Sequence, residues 1–313
     1  MSGSTEELLL IAANLYYIEG MTQEEIASKL GLSRIAVTRM LKKARDEGLV
    51  QITVKKPMPE LYRLALALEK RYRLAAAVVA PTRGNPRESR EAVGRAGAEL
   101  LERLITPGCT IGVAWSETTS AILPYIRKGG AKPARINELA GTYLTTDIPY
   151  IVSWPLAEKL GVPMESIPMP VLVRSGHVKE MMIQEPAIGA ALENASKVDL
   201  AFVGLGTVSR DSSIMKTGYL GVEELEECSA KGAVGDILMR YYDAAGRYIP
   251  MSFEDKTVSL EWEKIVKLPF VVSLAFGPEK LDAISGALAG GIIHGLVTDR
   301  WTAEALLARK NRA

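Results

Sequence analysis

Residues Thr22–Val50 read TQEEIASKLGLSRIAVTRMLKKARDEGLV, and this stretch predicts the fold of the N-terminal part of the chain. An acidic amphipathic segment, Thr22–Leu30, is followed by a tight break at Gly31 and by a second amphipathic segment, Ser33–Glu47. Apolar residues recur at helical spacing in both segments. The pattern predicts two short helices joined by a turn, which is how a chain presents a helix to the major groove of DNA.

The boundaries of the two helices are also readable. Thr22 begins a capping box and Ser33 precedes a periodic run, so each is expected to cap the helix that follows it. An earlier predicted helix, Glu6–Glu19, supplies apolar side chains for both to pack against. After the second helix, Gln51–Val54 alternates like the strand of a wing. We therefore expect a winged helix-turn-helix domain over residues 1–56.

Positive charge is concentrated on the second helix of the pair. Its arginines would pair with guanine edges or with phosphates, and Ile35 or Ala36 would touch a thymine methyl group. The residues expected to face DNA are Gln23, Ser33, Arg34, Ile35, Ala36, Thr38, Arg39, Lys42 and Lys43. The alternative is that the basic helix is only a solvated surface, but the caps, the turn and the wing together favour DNA binding.

The composition of the chain describes a soluble protein with two domains. Its 313 residues exceed one ordinary core, and 48% hydrophobic with 24% charged residues is typical of a globular protein. No stretch has the apolar length of a membrane span or of a signal segment, so a cytoplasmic location without a membrane partner is expected. Cys109 and Cys228 predict neither a disulfide framework nor a metal site.

The net charge is only +1, so the small basic surface of the second helix is the only one expected to attract DNA. One such surface binds weakly, which favours a homodimer or homotetramer on repeated half-sites.

A Pro-rich break precedes a linker helix, Glu60–Arg73, within residues 57–74, and residues 75–313 form the second domain. Six strands are predicted there: Ala75–Ala80, Thr110–Ala114, Arg135–Leu139, Val198–Val203, Phe270–Ala275 and Ile293–Val297. The predicted helices are Arg87–Leu104, Thr118–Arg127, Ile151–Leu160, Glu185–Ala195, Val222–Lys231, Pro278–Leu288 and Thr302–Arg309. Apolar strands alternating with helices predict an α/β fold with an open, doubly wound, Rossmann-like parallel sheet.

Polar loops follow several of the predicted strands, and strand ends of such sheets hold ligands. Hydroxyls at the start of a helix form an anion site together with the free backbone N–H groups, and a glycine loop lets a ligand approach the backbone. A lysine at a helix start is unfavourable beside the positive end of the helix unless an anion offsets it. Asp236 would accept hydrogen bonds from sugar hydroxyls, and Lys216, on a loop, either reaches a phosphate or is solvated. The effector-binding residues predicted from these loops are Ser116, Glu117, Thr118, Thr119, Gly206, Thr207, Lys216, Asp236 and Lys280.

The same residues show no catalytic set. His177 and His294 are the only histidines, and neither lies near a Ser or Cys arranged as a nucleophile pair. His294 is expected to be a hydrogen-bonded core residue, and no glycine pattern forms the dinucleotide fingerprint. We therefore expect no enzyme activity, cofactor or metal, only a small-molecule effector of the sugar or sugar-phosphate type.

Three segments, Tyr17–Val50, Val198–Ile237 and Gly277–Thr298, resemble the SorC family of bacterial sugar-responsive transcriptional regulators. The resemblance covers the whole chain. It implies an N-terminal winged helix-turn-helix, a C-terminal effector domain similar in fold to ribose-5-phosphate isomerase and glucosamine-6-phosphate deaminase, phosphorylated-sugar inducers, and dimers or tetramers built through the effector domain.

Carried over by position, the phosphate loop of the family falls on Ser116–Thr119, its sugar-contacting acid on Asp236 and its basic contact on Lys280. The Lys216 loop lies near the ligand, and a pocket glycine pair is here Ala140-Gly141. Glu117 departs from the glycine-richer family loop and would repel a phosphate. It therefore either points away or faces a less charged effector, such as an unphosphorylated sugar or polyol.

The sequence thus predicts a regulator of a carbohydrate-utilisation operon that binds a double-stranded DNA operator under the control of a sugar-type effector. Two other functions stay open. One is a sugar-phosphate isomerase or deaminase with a DNA-binding arm, which needs a general base at the pocket. The other is an architectural regulator without an effector.

Overall fold

The computed structural model describes residues 5–52, 58–130, 132–142 and 150–309. The chain divides into two compact units, Met1–Met58 and Pro59–Ala313. None of the described helices has the length and apolar character needed to cross a membrane.

The first unit contains three helices: α1 (Thr5–Tyr17), α2 (Gln23–Leu30) and α3 (Arg34–Asp46). Thr22 and Glu25 form the predicted capping box at the start of α2. Ser33 Oγ accepts a hydrogen bond of 3.2 Å from the Ala36 N–H at the start of α3. Gly31, at φ 65°, makes the left-handed turn between the two helices, where glycine carries no Cβ penalty.

The core of this unit is where the apolar stripes of the three helices meet. The fully or nearly fully buried members are Leu9, Ala12, Ala13, Ile26, Ala27, Val37, Leu41 and Ala44. The two predicted helices are confirmed, with their charged faces left outside. The predicted wing is only partly visible: Gln51 and Ile52 are exposed and not in a strand, while Thr53–Lys56 lie outside the described residues.

In the second unit, seven of the described strands form a parallel sheet in the order β1-β11-β10-β5-β2-β3-β4. They are β1 (Ala76–Ala80), β2 (Thr110–Val113), β3 (Arg135–Glu138), β4 (Met164–Glu165), β5 (Leu200–Val203), β10 (Val271–Leu274) and β11 (Gly295–Asp299). A smaller antiparallel sheet contains β6 (Gly206–Thr207), β7 (Gly235–Ile237), β8 (Arg240–Tyr242) and β9 (Tyr248–Ile249).

The helices of this unit are α4 (Glu60–Tyr72), α5 (Pro86–Leu104), α6 (Glu117–Ser120), α7 (Ser153–Leu160), α8 (Gly176–Ile183), α9 (Pro186–Ala195), α10 (Ser213–Lys216), α11 (Val222–Ala230), α12 (Trp262–Ile265), α13 (Leu281–Ala289) and α14 (Arg300–Ala308). Both faces of the large sheet are covered by apolar clusters. Along β5, for example, Ala201 and Val203 belong to one cluster and Leu200 and Phe202 to the other. This alternation explains why the strands read as continuous apolar runs and confirms the mixed α/β prediction.

Two sequence predictions for this unit were wrong in detail, and one sheet was missed. The predicted helix Thr118–Arg127 is instead the four-residue α6 followed by a 3-10 turn, Leu123–Tyr125, where Pro124 lacks the N–H that a continuing helix requires. The last strand begins at Gly295 rather than Ile293. The antiparallel sheet was not predicted at all, because its strands are too short to show alternation.

Helix α4 belongs to the second unit by its packing. Leu64, Ala65 and Leu68 are buried in the same cluster that covers one face of the large sheet. The Tyr72 hydroxyl donates a hydrogen bond of 2.9 Å to the Leu306 carbonyl of α14. The predicted linker helix is therefore anchored to the second unit at the point where the chain enters it.

Candidate functional site

The exposed face of α3 carries most of the predicted DNA-facing residues. Ser33, Arg34, Ile35, Thr38, Arg39, Lys42 and Lys43 are exposed, while Ala36 and Gln23 are half-buried. Ile35 is 67% exposed although it is apolar, so it is available for contact with a partner. The helix therefore presents a mixed cationic and apolar surface, as the direct reading of base edges requires.

The hydrogen bonds and ion pairs of this face show which side chains are bonded within the protein and which are available to a partner. The Thr38 hydroxyl donates to Gln23 Oε1 over 2.7 Å, which ties α3 to the start of α2. Arg34 lies 3.8 Å from Glu24, in an exposed and therefore weak ion pair. In the part of the chain that the structure describes, Arg39 and Lys42 form no ion pair. Among the cations predicted to face DNA, these two therefore have no ion pair within the described residues and are available for phosphates or base edges.

The second unit contains a cavity of about 280 Å³ at the carboxyl edge of the parallel sheet. Segments following β2 and β5, the turn before α13, and the antiparallel hairpin all contribute to its lining. The predicted effector residues that line it are Ser116, Glu117, Thr118, Gly206, Thr207, Lys216, Asp236 and Lys280. Loops predicted separately from the sequence thus meet at one place.

Two predicted residues do not line the cavity. Thr119 is fully buried, and its amide N–H donates over 3.1 Å to the capping hydroxyl of Ser116. Gly141 faces a neighbouring recess, where an added Cβ would lie 2.7 Å from the Met169 carbonyl oxygen, so its small size serves packing. Lys216 was predicted on a loop, but it is the last residue of α10 and its side chain is exposed.

Asp236 is the most buried acidic residue of the cavity wall, at 8% exposure. Its Oδ2 accepts a hydrogen bond of 3.0 Å from the Met239 N–H. A Cβ at position 206 would lie 1.7 Å from its Oδ1, so glycine is what allows this strand to pair so closely. Burial raises the pKa of Asp236 to about 6, against the lowering effects of the Met239 N–H and Lys280.

Lys280 reaches the same wall from the turn before α13. Its ammonium donates a hydrogen bond to the Leu205 carbonyl. Burial lowers the pKa of Lys280, and the carboxylates of Asp236, Glu279 and Glu117 oppose that change. The sequence predicted an ammonium in need of an anion, whereas the structure shows one already surrounded by acceptors from the protein itself.

Sequence reasoning missed two features of the cavity. The first is Arg90 of α5, which lines the cavity and pairs with Glu117 over 3.0 Å between Nη2 and Oε1. No motif marked it among the arginines of α5. The second is the turn Leu238-Met239, whose residues have φ values of 54° and 62°.

This turn joins β7 to β8 as a two-residue hairpin loop. Two-residue hairpin turns favour Asn and Gly because the central residues need positive φ. Two bulky residues here carry backbone strain and place their side chains against the cavity. The Met239 N–H donates a hydrogen bond to Asp236 and so holds the strained turn, which links the turn to this part of the cavity wall.

Similarity to known proteins agrees with this division into two units. Residues 8–58 match the family described as "Crp-like helix-turn-helix domain", and residues 56–308 match the family described as "Putative sugar-binding domain". The chain is 30% identical over 316 residues to the erythritol catabolism regulatory protein EryD of Brucella abortus, with 99% of each chain covered.

It is also 32% identical over 309 residues to the transcriptional regulator LsrR of an Enterobacter species, covering 97% of this chain and 93% of that protein. Among solved structures, the full-length sorbitol operon regulator SorC from Klebsiella pneumoniae superimposes with a TM-score of 0.74 at 29% identity. That comparison covers 98% of this chain and 100% of the other.

A helix-turn-helix unit joined to a sugar-binding α/β domain defines a DNA-binding transcriptional regulator. The match over most of the chain and the relatives of similar length identify the group within that class. The chain belongs to the SorC family of bacterial sugar-responsive transcriptional regulators.

Proposed function

We propose that this regulator controls a carbohydrate-utilisation operon by binding its operator through α3 and a sugar-type effector in the cavity of the second unit. The observation that carries the proposal is the convergence of Ser116, Thr118, Asp236 and Lys280 on one cavity wall. Carboxylate, hydroxyl and ammonium groups around a partly apolar cavity are typical of sites that orient small polar ligands. The effector is either a sugar phosphate or an unphosphorylated sugar or polyol.

The names of the relatives are consistent with such a ligand. One is an erythritol catabolism regulator and another a sorbitol operon regulator, and both of those compounds are polyols. We further propose that the effector domain is related in fold to ribose-5-phosphate isomerase and glucosamine-6-phosphate deaminase. The proposal also includes cytoplasmic location and the absence of a cofactor.

A homodimer or homotetramer is part of the proposal because the basic footprint of one α3 is small. Few phosphate contacts give weak, salt-sensitive binding, and two helices on repeated half-sites multiply it. The effector would act by binding one arrangement of the oligomer better than another, and it shifts the equilibrium only by that difference in affinity.

A connected set of contacts joins the cavity to the start of the second unit. Asp282 follows Lys280 closely in α13, and its Oδ1 accepts a hydrogen bond of 2.7 Å from Arg309 at the end of α14. The Arg71 guanidinium of α4 donates to the Leu307 and Arg309 carbonyls. We propose that effector binding at Lys280 repositions α13 and α14 and so shifts α4, the helix that leads to the DNA-binding unit.

The experiment is an anisotropy titration of the full-length protein against a duplex from its own promoter region, with and without added sugars and polyols. Arg309→Ala is expected to retain ligand affinity while losing most of the effect of ligand on DNA binding. Arg87→Ala, which removes an exposed ion pair within α5 and leaves the contacts between α14 and α4 intact, serves as the matched control. If every ligand that binds leaves DNA affinity unchanged in the unmodified protein, the proposal is wrong.

A second candidate is a sugar-phosphate isomerase or deaminase with a DNA-binding arm. The observation in its favour is the raised pKa of Asp236 beside Lys280, since pKa values near neutrality suit a general acid or base. His294, the partner that such an enzyme would use, instead accepts a hydrogen bond of 3.0 Å from the Val271 N–H away from the cavity. Turnover of sugar phosphates that disappears in Asp236→Asn would establish the enzyme.

A further inference from the structure

Arg90 and Glu117 form an ion pair at the edge of the cavity. Arg90 lies on α5, and Glu117 is the first residue of α6; their nitrogen and oxygen are 3.0 Å apart. The second partner of Glu117 is Tyr150, whose phenol hydrogen-bonds to the carboxylate. Burial, and after it the charge of Glu117, raise the pKa of Tyr150. The carboxylate is thus held beside the cavity from two sides.

Arg90 keeps hydrogen-bonding capacity despite this pairing. Its Nε is buried and has no partner in the described part of the chain. The Ser212 hydroxyl, also in the cavity lining, is likewise buried and unpartnered among the described residues. Buried donors without partners are rare in native proteins, so the side chains of Arg90 and Ser212 are expected to shift toward a ligand that offers them partners.

The described cavity lining has no excess of positive charge that would attract an anion. Arg90 is paired with Glu117, and Lys280 is held by the Leu205 carbonyl and faces Asp236. The basic lining residues are Arg90, Lys216 and Lys280, whereas the acidic ones are Glu117, Asp211, Asp236 and Glu279. Carboxylates therefore outnumber cations around the ligand space.

The predicted phosphate loop also uses part of its backbone hydrogen-bonding capacity within the protein itself. Helix α6 is only four residues long, so its dipole is small. The Thr119 N–H is used by Ser116 Oγ, and the Ser120 N–H donates to the Ser116 carbonyl over 2.8 Å. Glu117 itself supplies the negative charge at the N-terminus of this turn.

We infer that Arg90 and Glu117 together read the effector, and that the cavity selects a neutral polyhydroxylated compound over its phosphate ester. This inference rests on the proposed function, in which the cavity is the effector site. A hydroxyl both donates and accepts, so adjacent hydroxyls of a sugar or polyol would satisfy the Glu117 carboxylate and the Arg90 guanidinium at once. A phosphate group carries about one to two negative charges at neutral pH, and it would meet the like charges of the Glu117 and Asp236 carboxylates.

The first test uses inorganic phosphate as the probe, which needs no knowledge of the effector. Binding is measured by calorimetry and thermal shift on the full-length protein, with chloride at equal ionic strength as the reference. Glu117→Gln is expected to increase phosphate affinity about tenfold or more, because a like charge beside the anion is removed. Glu91→Gln is the matched control: it removes an exposed carboxylate next to Arg90 on α5, outside the cavity lining, and should not change phosphate affinity.

The second test compares neutral tetritols, pentitols and hexitols with their monophosphates. The unmodified protein is expected to bind a neutral compound more tightly than its ester, and Glu117→Gln and Arg90→Gln should each weaken that preference. The inference is overturned if the ester binds more tightly, or if phosphate affinity is the same with and without Glu117. Neutral-ligand binding without any effect on DNA would instead refute the proposed function and leave this selectivity standing.

Discussion

Replacing Asp236 by Asn is the perturbation whose size follows most directly from the structure. The carboxyl is 8% exposed, and burial raises its pKa from 3.8 to about 6. A pKa that is raised on folding means that the folded state holds the proton more tightly than the unfolded chain does. Its contribution to stability is therefore complete below about pH 4 and is lost as the pH rises through about 6.

The magnitude follows from about 1.4 kcal/mol for each pH unit between the two pKa values. Asn mimics the protonated carboxyl and still offers an acceptor to the Met239 N–H. Asp236→Asn is thus expected to increase the free energy of unfolding by about 1 kcal/mol at pH 4.5 and by about 3 kcal/mol at pH 7.5. The effector response should nevertheless be lost, since the carboxylate contacts the ligand in our account.

The assay is urea unfolding of the full-length protein and of the variant at both pH values. Using the difference between the two proteins removes the contributions of all the other titrating groups. Asp211→Asn is the control, because Asp211 lines the same cavity but is exposed. An Asp236→Asn effect that is equal at the two pH values would refute a buried carboxylate with a raised pKa.

The remaining predictions concern DNA binding, effector response and the strained turn. Arg39→Ala should weaken operator binding by about 1–3 kcal/mol and relax base preference if Arg39 contacts a base, whereas a change in salt dependence alone would make it a phosphate contact. Thr118→Val combined with Lys280→Ala should abolish the ligand response and preserve DNA binding in the same anisotropy assay; loss of DNA binding would show that the pair is structural. Met239→Gly should destabilise the protein by about 1–4 kcal/mol in urea unfolding, because the loss of a core side chain that is 1% exposed outweighs the relief of about 1 kcal/mol at a φ of 62°; stabilisation would mean that the backbone strain dominates.

The parts of the fold that could be predicted depend on local signals. Thr22 and Ser33 cap their helices within three residues, and the apolar run at Leu200–Val203 is long enough to read as a buried strand. The position of the cavity followed as well, since the ends of parallel strands meet at one edge. These features are determined by neighbouring residues or by a general rule of the fold.

The unpredicted features depend on contacts between distant segments. Arg90 has the same local surroundings as other arginines of α5, and only the folded sheet brings it to Glu117. The hairpin turn at Leu238-Met239 violates the usual turn chemistry, so no turn signal marks it. Gly141 was assigned to the pocket by resemblance, yet the backbone at Met169 and Pro170 occupies the space beside it.

The most direct test of the account is an anisotropy titration of the promoter duplex in about 0.1 M salt, with a scrambled duplex of equal length as the reference. We expect the promoter duplex to bind more tightly and a neutral polyol to change its Kd about tenfold, which corresponds to a coupling of about 1.4 kcal/mol. In Asp236→Asn the same polyol should leave the Kd unchanged. Equal binding of the two duplexes, unaffected by any polyol or polyol phosphate, would contradict the account.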